Sequence, residues 1–371
     1  MITKRIATQN IRNYSIWIIP LIIVSKIVRW TIMRPQLVDM SIGWGMAERI
    51  ARGKVIPFHA SIGEMSNAAS VAVSNTEALF DAINIWGIDT YVGWEIFITI
   101  IFNILLWMIV RNYYQRHPNA GMKENIFIYL NVAILNIFCL NMSKEPYQLI
   151  FFFLMAYVIK WGKTYRGKSI ALIVVLVLTV LFARKYYAMI IMYFIVLQVI
   201  VVQWFDKVNM NTKRGRKKLY VYLFLMFALF GVFHYIMMSY LSTGNEDVYE
   251  ELVAANSRDA TGAVSEITPL FPGGNPLLLS VDYFVKIFRL MFPIELFIKG
   301  KVTYFFMILY QYLLFLFIVR AFRGRHEKQP SRTIALYLYL AFLLCSAAFE
   351  PDFGSWVRHQ GVAFPIILLI L

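Results

Sequence analysis

The feature that most constrains this chain is a series of apolar runs, most of them long enough to cross a lipid bilayer. A helix needs about 20 apolar residues to span the hydrocarbon core. Hydrophobic residues make up 60% of the 371 and charged residues only 15%, a balance typical of polytopic membrane proteins. The predicted spans lie near 14–33, 92–110, 125–141, 147–160, 168–183, 187–204, 219–240, 301–320 and 333–349, with a last run from 360. We therefore expect an all-α, polytopic integral membrane protein, one transmembrane domain over 1–371, with about ten membrane-spanning helices, the last unusually short or truncated.

The distribution of basic residues predicts the orientation of these helices. With a cytoplasmic N-terminus, the inside segments carry about 21 of the 36 Lys and Arg and only about three acids, whereas the outside carries about 15 cations and 18 acids. The inside segments are 1–13, 111–124, 160–168, 205–218 and 320–332. The basic run Lys213–Lys218 is therefore interpreted as a topology determinant at the anionic inner leaflet, and we expect no nucleic-acid partner.

Two long segments are expected on the extracytoplasmic side. They cover 34–91 and 241–300. Residues 47–54 have the spacing of an interfacial amphipathic helix. In the apolar stretch Leu277–Ile298, the intervals of four and three residues between Asp282, Lys286 and Arg289 predict one polar helical face. We expect this stretch to lie along the membrane surface or re-enter it, with an eleventh span as the alternative.

Ionisable residues are dense between the last two apolar runs. Glu350, Asp352, Arg358 and His359 stand within ten residues at a membrane edge, where charges are costly unless they bind or transform something. Arg358 could hold a phosphate or diphosphate, and Glu350, Asp352 or His359 could accept the proton of an attacking hydroxyl. The alternative is a charged turn that ends one helix and begins the next.

A second basic group is predicted in a very short outer turn. Arg184 and Lys185 are followed by Tyr186 and Tyr187. A rigid guanidinium suits capture of a phosphate, and the tyrosines suit packing against a sugar or lipid. The alternative is that the two cations only keep a tight turn hydrated.

Three further residues are candidates at the outer face. Lys144 and Glu145 occupy another short turn, either as part of the site or as an exposed ion pair of little energetic weight. Asp39 follows the first span and could serve as a carboxylate base at the membrane surface.

Other kinds of site find little support in the sequence. There is no Walker loop, GxSxG or HExxH motif, and both cysteines, Cys139 and Cys345, are predicted to pack in apolar runs rather than bind metal or form a disulfide. The first run is not expected to be a cleavable signal, because Lys26 and Arg29 interrupt it. Few ionisable residues fall at the mid-depth of the predicted spans, which disfavours an ion-coupled transporter.

Three short stretches resemble bacterial polysaccharide polymerases of the Wzy and EpsG type. They are Ser143–Phe152, Arg184–Ala188 and Gly354–His359. The resemblance implies a fold of ten or more helices in the class of lipid-dependent glycosyltransferases. It also implies metal-independent transfer of a growing glycan from undecaprenyl diphosphate to an incoming lipid-linked unit, with arginines at the outer face.

The long segment 34–91 departs from that pattern. With Asp39 ahead of an amphipathic helix, it also resembles GT-C glycosyltransferases, in which an early outer-loop acid acts as the base. We therefore expect an outer-face glycosyltransferase of the bacterial cell membrane. Arg358, Arg184 and Lys185 would stabilise the departing diphosphate, Asp352, Glu350, His359 or Asp39 would be the base, and Tyr186, Tyr187, Lys144, Glu145 and Arg289 would bind substrate.

The partners and alternatives follow from this expectation. The partners are a polyprenyl-diphosphate-linked oligosaccharide, the lipid bilayer and other polysaccharide-assembly membrane proteins. No cofactor is required, because the polyprenyl diphosphate is itself the activated donor. The alternatives are a GT-C enzyme that uses a polyprenyl-phosphate sugar, a flippase or transporter for a related lipid, and a non-catalytic component of an envelope assembly complex.

Overall fold

Helices dominate the parts of the chain that the computed structural model describes. These parts are 2–33, 79, 82–88, 91–141, 143–183, 187–200, scattered positions from 212 to 236, 265–271, 275–323, 330–350 and 352–371. Within them the only β-type pairing is an isolated antiparallel bridge between Glu266 and Asp352. The prediction of an all-α architecture is confirmed for these residues.

The α-helices whose bounds the structure gives follow one another along the chain. They are α1 (Ile2–Val28), α2 (Tyr91–Arg116), α3 (Met122–Ile134), α4 (Lys144–Trp161), α5 (Tyr165–Phe182), α6 (Ala188–Ile200), α7 (Pro276–Met291), α8 (Ile294–Lys299), α9 (Val302–Arg323), α10 (Pro330–Phe349), α11 (Phe353–Val362) and α12 (Phe364–Ile370). Two π-helical turns continue α1 and α3, over Arg29–Met33 and Leu135–Cys139.

Six of the described helices are long and apolar enough to cross a membrane. The candidate spans are Thr8–Thr31, Val92–Arg116, Met122–Cys139, Tyr165–Phe182, Tyr304–Phe322 and Pro330–Phe349. Helices α11 and α12 would make a seventh, although a bend of 72° separates them. The multi-pass character predicted from the sequence is therefore confirmed, while the number of ten spans stays a prediction.

Three of the predicted spans have no counterpart among these six candidate spans. The run 147–160 falls in α4, whose 18 residues include Lys144, Glu145 and Lys160. The run 187–204 contains a shorter apolar helix, Ala188–Gln198. The run 219–240 lies mostly outside the described residues.

The contacts divide the chain into two compact units. Unit 1 comprises Met1–Tyr187 and Val357–Leu371, and unit 2 comprises Ala188–Trp356. Helix α11 therefore begins in unit 2 and ends in unit 1. The expectation of a single transmembrane domain stays a prediction.

In unit 1, consecutive helices run in alternating directions, so that chain turns gather at two ends. At one end, Asn10 near the start of α1 donates to the carbonyls of Pro118 and Ala120 in the α2–α3 turn, at 3.2 and 3.4 Å. At the other end, Lys26 in the last turn of α1 and Arg29 in the π-helical turn that follows meet Glu95 in the first turns of α2. Helix α1 contacts α2 and α3, α4 contacts α5, and α12 contacts α4 and α2.

A pair of buried amides joins α2 to the π-helical turn after α3. Asn103 and Asn136 exchange hydrogen bonds in both directions, at 2.9 and 3.1 Å, and each also donates to a carbonyl one turn earlier in its own helix. Within a bilayer such side-chain bonds contribute on average about 0.6 kcal/mol each. The pair satisfies polar groups that would otherwise be costly to bury.

In unit 2, α10 packs against α6, α7 and α9. Helix α7 buries the polar residues Asp282 and Lys286 together with apolar residues such as Leu290, whereas Leu277 and Phe288 are exposed. Its Tyr283 hydroxyl donates to the Leu344 carbonyl of α10 at 2.9 Å. The spacing of the polar residues in α7 thus matches the predicted single face.

Candidate functional site

A buried group of three ionisable residues lies in unit 1, where α1 ends and α2 begins. The Lys26 ammonium and the Arg29 Nε lie 2.9 and 2.5 Å from the same carboxylate oxygen of Glu95. All three side chains are at most 6% exposed. We call them the Lys26–Glu95–Arg29 cluster. Sequence analysis treated Lys26 and Arg29 only as interruptions of an apolar run, and it singled out no role for Glu95.

The π-helical turn after α3 supplies backbone partners to both cations of the cluster. In this turn the Leu140 N–H donates to the Leu135 carbonyl, five residues earlier, at 2.8 Å. The Ile137 carbonyl accepts from Arg29 at 2.9 Å, and the Leu140 carbonyl accepts from Lys26 at 2.6 Å. Single π-helical turns are often found at functional sites because they redirect backbone groups. Here the redirected carbonyls anchor two cations.

The most informative contact among the predicted site residues joins α4 to α11 in unit 1. The Arg358 Nε lies 3.1 Å from a carboxylate oxygen of Glu145. Glu145 is 2% exposed and Arg358 is 26% exposed. The structure thus brings together two stretches that the sequence analysis had singled out separately. We call this contact the Glu145–Arg358 pair.

The charge state of Glu145 follows from its surroundings. Burial alone would raise the pKa of the Glu145 carboxyl, but the positive charges of Arg358 and Lys144, and that of His359 when it is protonated at low pH, outweigh it and lower the pKa to about 2. Glu145 precedes the predicted span at the start of α4. It is therefore an anion at neutral pH that holds Arg358 in place, and it is too weak a base to accept a proton there.

The cluster and the pair belong to the same end of unit 1. The thiol of Cys139, at the end of the π-helical turn, lies within electrostatic range of Lys26, Arg29, Glu145 and Arg358. It also donates to the Arg358 carbonyl at 3.3 Å. Cys139 is fully buried, as predicted for a packing residue.

Glu350 and Asp352 lie in unit 2 together with α7. The buried Lys286 lies within electrostatic range of Glu350, Arg289, Asp282 and Asp352. Burial lowers the pKa of Lys286 to about 8, although the three carboxylates oppose the shift. Because α7 is amphipathic and is not among the candidate spans, we interpret this group as lying at the membrane surface.

Several candidate residues of unit 2 have contacts that stabilise the fold. Asp352 accepts a hydrogen bond from the Ser355 N–H at 2.8 Å and so caps the start of α11. Arg289 pairs with Glu295 and also donates to the Thr268 carbonyl at 2.6 Å. These contacts give both residues structural roles, beside the catalytic and substrate-binding roles that stay predictions.

His234 is packed against α7 in the same unit. Its Nδ1 lies 3.1 Å from the Ser280 hydroxyl, and its ring stacks on Tyr283 with centroids 4.0 Å apart. His234 is 1% exposed. This environment fits a histidine of the packed interior.

Four of the predicted site residues lie outside the described residues. They are Asp39, Arg184, Lys185 and Tyr186. The proposed meeting of Arg184 with Arg358 therefore stays a prediction. Tyr187 is described and is 1% exposed in the interior of unit 1.

The described part of the chain shows no grouping of side chains typical of a metal site. Within those ranges, no three His, Cys, Asp or Glu side chains are grouped so that they could hold a metal ion. The acids described above are instead placed beside cations.

Comparisons with models of known protein families, with characterised proteins and with solved structures give no match to this chain. The resemblance to polysaccharide polymerases accordingly stays a prediction.

The two groups of ionisable residues in unit 1 contain more cations than carboxylates. Lys26, Arg29 and Arg358 are cations, whereas Glu95 and Glu145 are the acids that contact them. The surplus of positive charge is held in a buried environment, where electrostatic interactions are strong. Such a site is suited to bind an anion or to stabilise negative charge that develops on a leaving group.

Proposed function

We propose that the chain is a membrane glycosyltransferase of the polysaccharide polymerase type. It would transfer a growing glycan from a polyprenyl (undecaprenyl) diphosphate donor to a lipid-linked sugar acceptor. The observation that carries the proposal is the Glu145–Arg358 pair, which fixes a partly exposed guanidinium at one end of an apolar helical unit. The nearby Lys26–Glu95–Arg29 cluster adds to the positive charge there.

In the proposed reaction, a hydroxyl oxygen of the acceptor sugar attacks the anomeric carbon of the donor glycan. The bond between that carbon and the diphosphate oxygen breaks, and its electron pair stays on the diphosphate. The hydroxyl proton passes to a base. Arg358 would balance the charge that develops on the departing diphosphate, as a preorganised cation does in a site of low polarity. The reaction balances without an added cofactor.

Among the predicted bases, His359 fits the described geometry of unit 1 best. It follows Arg358 in α11, is 6% exposed, and lies within electrostatic range of Glu145. Glu145 itself is an unsuitable base because its pKa is about 2. Asp39, Glu350 and Asp352 remain the other predicted bases.

The orientation is part of the proposal. The excess of Lys and Arg in the predicted inside segments favours a cytoplasmic N-terminus in the bacterial cell membrane. Asn10 and the α2–α3 turn would then face the cytoplasm. The end of unit 1 that holds the pair and the cluster would be extracytoplasmic, beside the bilayer, the lipid-linked oligosaccharide and other polysaccharide-assembly proteins.

A flippase or transporter for a related lipid is a second candidate, and one observation favours it. The bent pair α11–α12 is a discontinuous helix, and discontinuous helices often form substrate sites in transporters. Buried ionisable residues in two candidate spans, Lys26 and Glu95, point the same way.

The proposal can be tested with purified protein in proteoliposomes supplied with a polyprenyl-diphosphate-linked oligosaccharide. Polymer length is measured for the wild type, Arg358→Ala and Arg358→Lys. The lysine variant keeps the charge opposite Glu145 but loses the planar fork of the guanidinium. We expect no chain lengthening with alanine and at least about a hundredfold slower lengthening with lysine.

Arg116→Ala is the matched control, because Arg116 is an exposed arginine in the last turn of α2, at the end of unit 1 away from Glu145. It should lengthen polymer as the wild type does. Normal polymer from Arg358→Ala would refute the enzymatic proposal. Movement of the lipid across the bilayer without lengthening, measured with a fluorescent analogue, would favour the flippase.

A further inference from the structure

The Lys26–Glu95–Arg29 cluster has more positive charge than its contacts within the described chain neutralise. Two cations share one oxygen of a single carboxylate, so one unit of positive charge is left over. The remaining contacts of the cations are to the carbonyls of Ile137 and Leu140, which carry no net charge. A surplus charge is costly at membrane depth, and ionisable residues there commonly mark binding sites.

The donors of the cluster suit a phosphate group. A guanidinium has five N–H groups, and an ammonium has three. Arg29 contacts Glu95 through its Nε and the Ile137 carbonyl through its Nη1, and Lys26 contacts Glu95 and the Leu140 carbonyl. Within the described residues, each cation therefore keeps donor capacity beyond these contacts. Arginine and lysine side by side are a common combination for binding phosphate oxygens.

The position of the cluster indicates the class of ligand. Cys139 lies within electrostatic range of both the cluster and the Glu145–Arg358 pair, so the two groups of cations are neighbours in unit 1. Lys26, Arg29 and Glu95 lie near the ends of two candidate spans, and Glu145 lies in the first turn of α4. A ligand that carries two linked phosphates on a hydrocarbon chain would match neighbouring cations at the edge of a lipid-facing helix.

We propose that the Lys26–Glu95–Arg29 cluster is a binding site for the diphosphate of a lipid, in which the Glu95 carboxylate occupies the place of a phosphate oxygen until the ligand displaces it. The inference rests on the proposed function only for the identity of the lipid, a polyprenyl diphosphate. The competing explanation is a structural clamp that ties α1 to α2 and to the π-helical turn.

The substitution Glu95→Gln distinguishes a displaceable carboxylate from a clamp. It keeps the shape of the side chain and removes the anion that competes with the ligand. A binding site should then bind diphosphate about tenfold more tightly, because the two cations no longer share their charge with Glu95. A clamp should lose thermal stability and leave diphosphate affinity unchanged.

The measurement is titration calorimetry on the full-length protein in nanodiscs, with inorganic diphosphate and farnesyl diphosphate as probes. Arg29→Met and Lys26→Met should each weaken binding of both probes at least about tenfold. Lys168→Met is the matched control. Lys168 of α5 is also a buried lysine that donates to backbone carbonyls, those of Ile159 at 2.7 Å and Lys160 at 3.5 Å, but these lie at the end of α4 away from Glu145. It should bind both probes like the wild type.

The outcomes separate this inference from the proposed function. Unchanged or weaker binding in Glu95→Gln, or wild-type binding in both methionine variants, would overturn the site. Equal affinity for the two probes would overturn the assignment to a lipid. Should Arg358→Ala stop chain lengthening while Glu95→Gln leaves affinity unchanged, the inference fails and the glycosyltransferase stands. If a methionine variant does not fold, the isosteric Glu95→Gln still decides.

Discussion

Arg358 in α11 and Glu145 at the start of α4 meet with 3.1 Å between Nε and a carboxylate oxygen. The contact joins two distant parts of the sequence within unit 1. Each residue neutralises the charge of the other, because either one alone would leave an unbalanced charge in a largely buried place.

Glu145→Gln should therefore lower the free energy of unfolding by about 2–3 kcal/mol, since Arg358 loses its counter-charge in a low-polarity environment. Thermal unfolding in detergent measures the change. Glu124→Gln is the control, because Glu124 is only half-buried and accepts a hydrogen bond from the Gly121 N–H at the start of α3, which a glutamine oxygen can also accept. This substitution should cost less than about 1 kcal/mol. Equal losses in the two variants would show that Glu145 has no special role in stability.

The lowered pKa of Glu145 predicts how stability depends on pH. The carboxyl has a pKa of about 2 in the folded chain and an ordinary value of 4.5, so the unfolded chain takes up its proton first. The contribution of Glu145 is fully present above pH 4.5 and is lost as the pH falls toward 2. The melting temperatures of the wild type and Glu145→Gln should therefore converge between pH 4.5 and 2. A constant difference would contradict this.

Lys286 predicts the opposite kind of pH dependence in unit 2. Its pKa is about 8 in the folded chain against an ordinary 10.5, so the folded chain loses this proton first as the pH rises. The contribution of Lys286 to the free energy of unfolding should therefore increase between pH 8 and 10.5. Lys286→Met removes the titrating group, and unfolding measured from pH 7.5 to 10 should lack the increase that the wild type shows. The same slope in both proteins would refute the assignment.

The Asn103–Asn136 pair offers a test of buried polar packing. Asn103→Leu or Asn136→Leu should each destabilise unit 1 by about 1–3 kcal/mol, because the remaining amide loses its partner. The double variant should lose less than the sum of the two, since both polar groups are then gone. A double-mutant cycle measures the coupling, which we expect near 0.6–1.7 kcal/mol. Strict additivity would indicate that the amides act independently.

Both native cysteines are buried, which allows the orientation to be tested by thiol labelling. A membrane-impermeant maleimide should label Lys299→Cys in intact cells, because α8 is predicted to be extracytoplasmic. Lys123→Cys, at the start of α3, should be labelled only after the membrane is opened. The wild type is the background control. Reversed labelling would invert the proposed topology.

The helices with strong apolar runs were the easiest to predict. The predicted span 333–349 falls within α10, 168–183 nearly coincides with α5, and 92–110 falls within α2. Hydropathy succeeds there because a helix in lipid must satisfy its own backbone, whatever its neighbours are.

The contacts of the site were harder to predict from the sequence. Lys26 and Arg29 interrupt an apolar run, and their spacing of three residues places them near each other on one side of the helix. The sequence does contain a signal for their partner, because Glu95 is an acid near the start of the next predicted span. The mean hydropathy of a span is dominated by its apolar residues and hides single charged residues. Only the packing of α1 on α2 shows which residues are partners.

The base assignment shows another limit of sequence reasoning. Asp352 is a predicted base and Glu145 a predicted substrate-binding residue, because both are carboxylates in an unusual place. Asp352 caps α11, and Glu145 holds Arg358. Residue type and spacing do not distinguish these roles, because they depend on which donor lies within reach.

Helix α1, which carries Lys26 of the Lys26–Glu95–Arg29 cluster, is poorly covered by the rest of the described chain. Many of its apolar side chains are exposed, among them those of Trp17, Ile23 and Ile27. A ligand anchored in the bilayer would reach this helix by lateral diffusion. Its occupancy would then scale with its mole fraction among the lipids, so diluting the membrane with inert lipid should weaken saturation even when the bulk concentration is held constant.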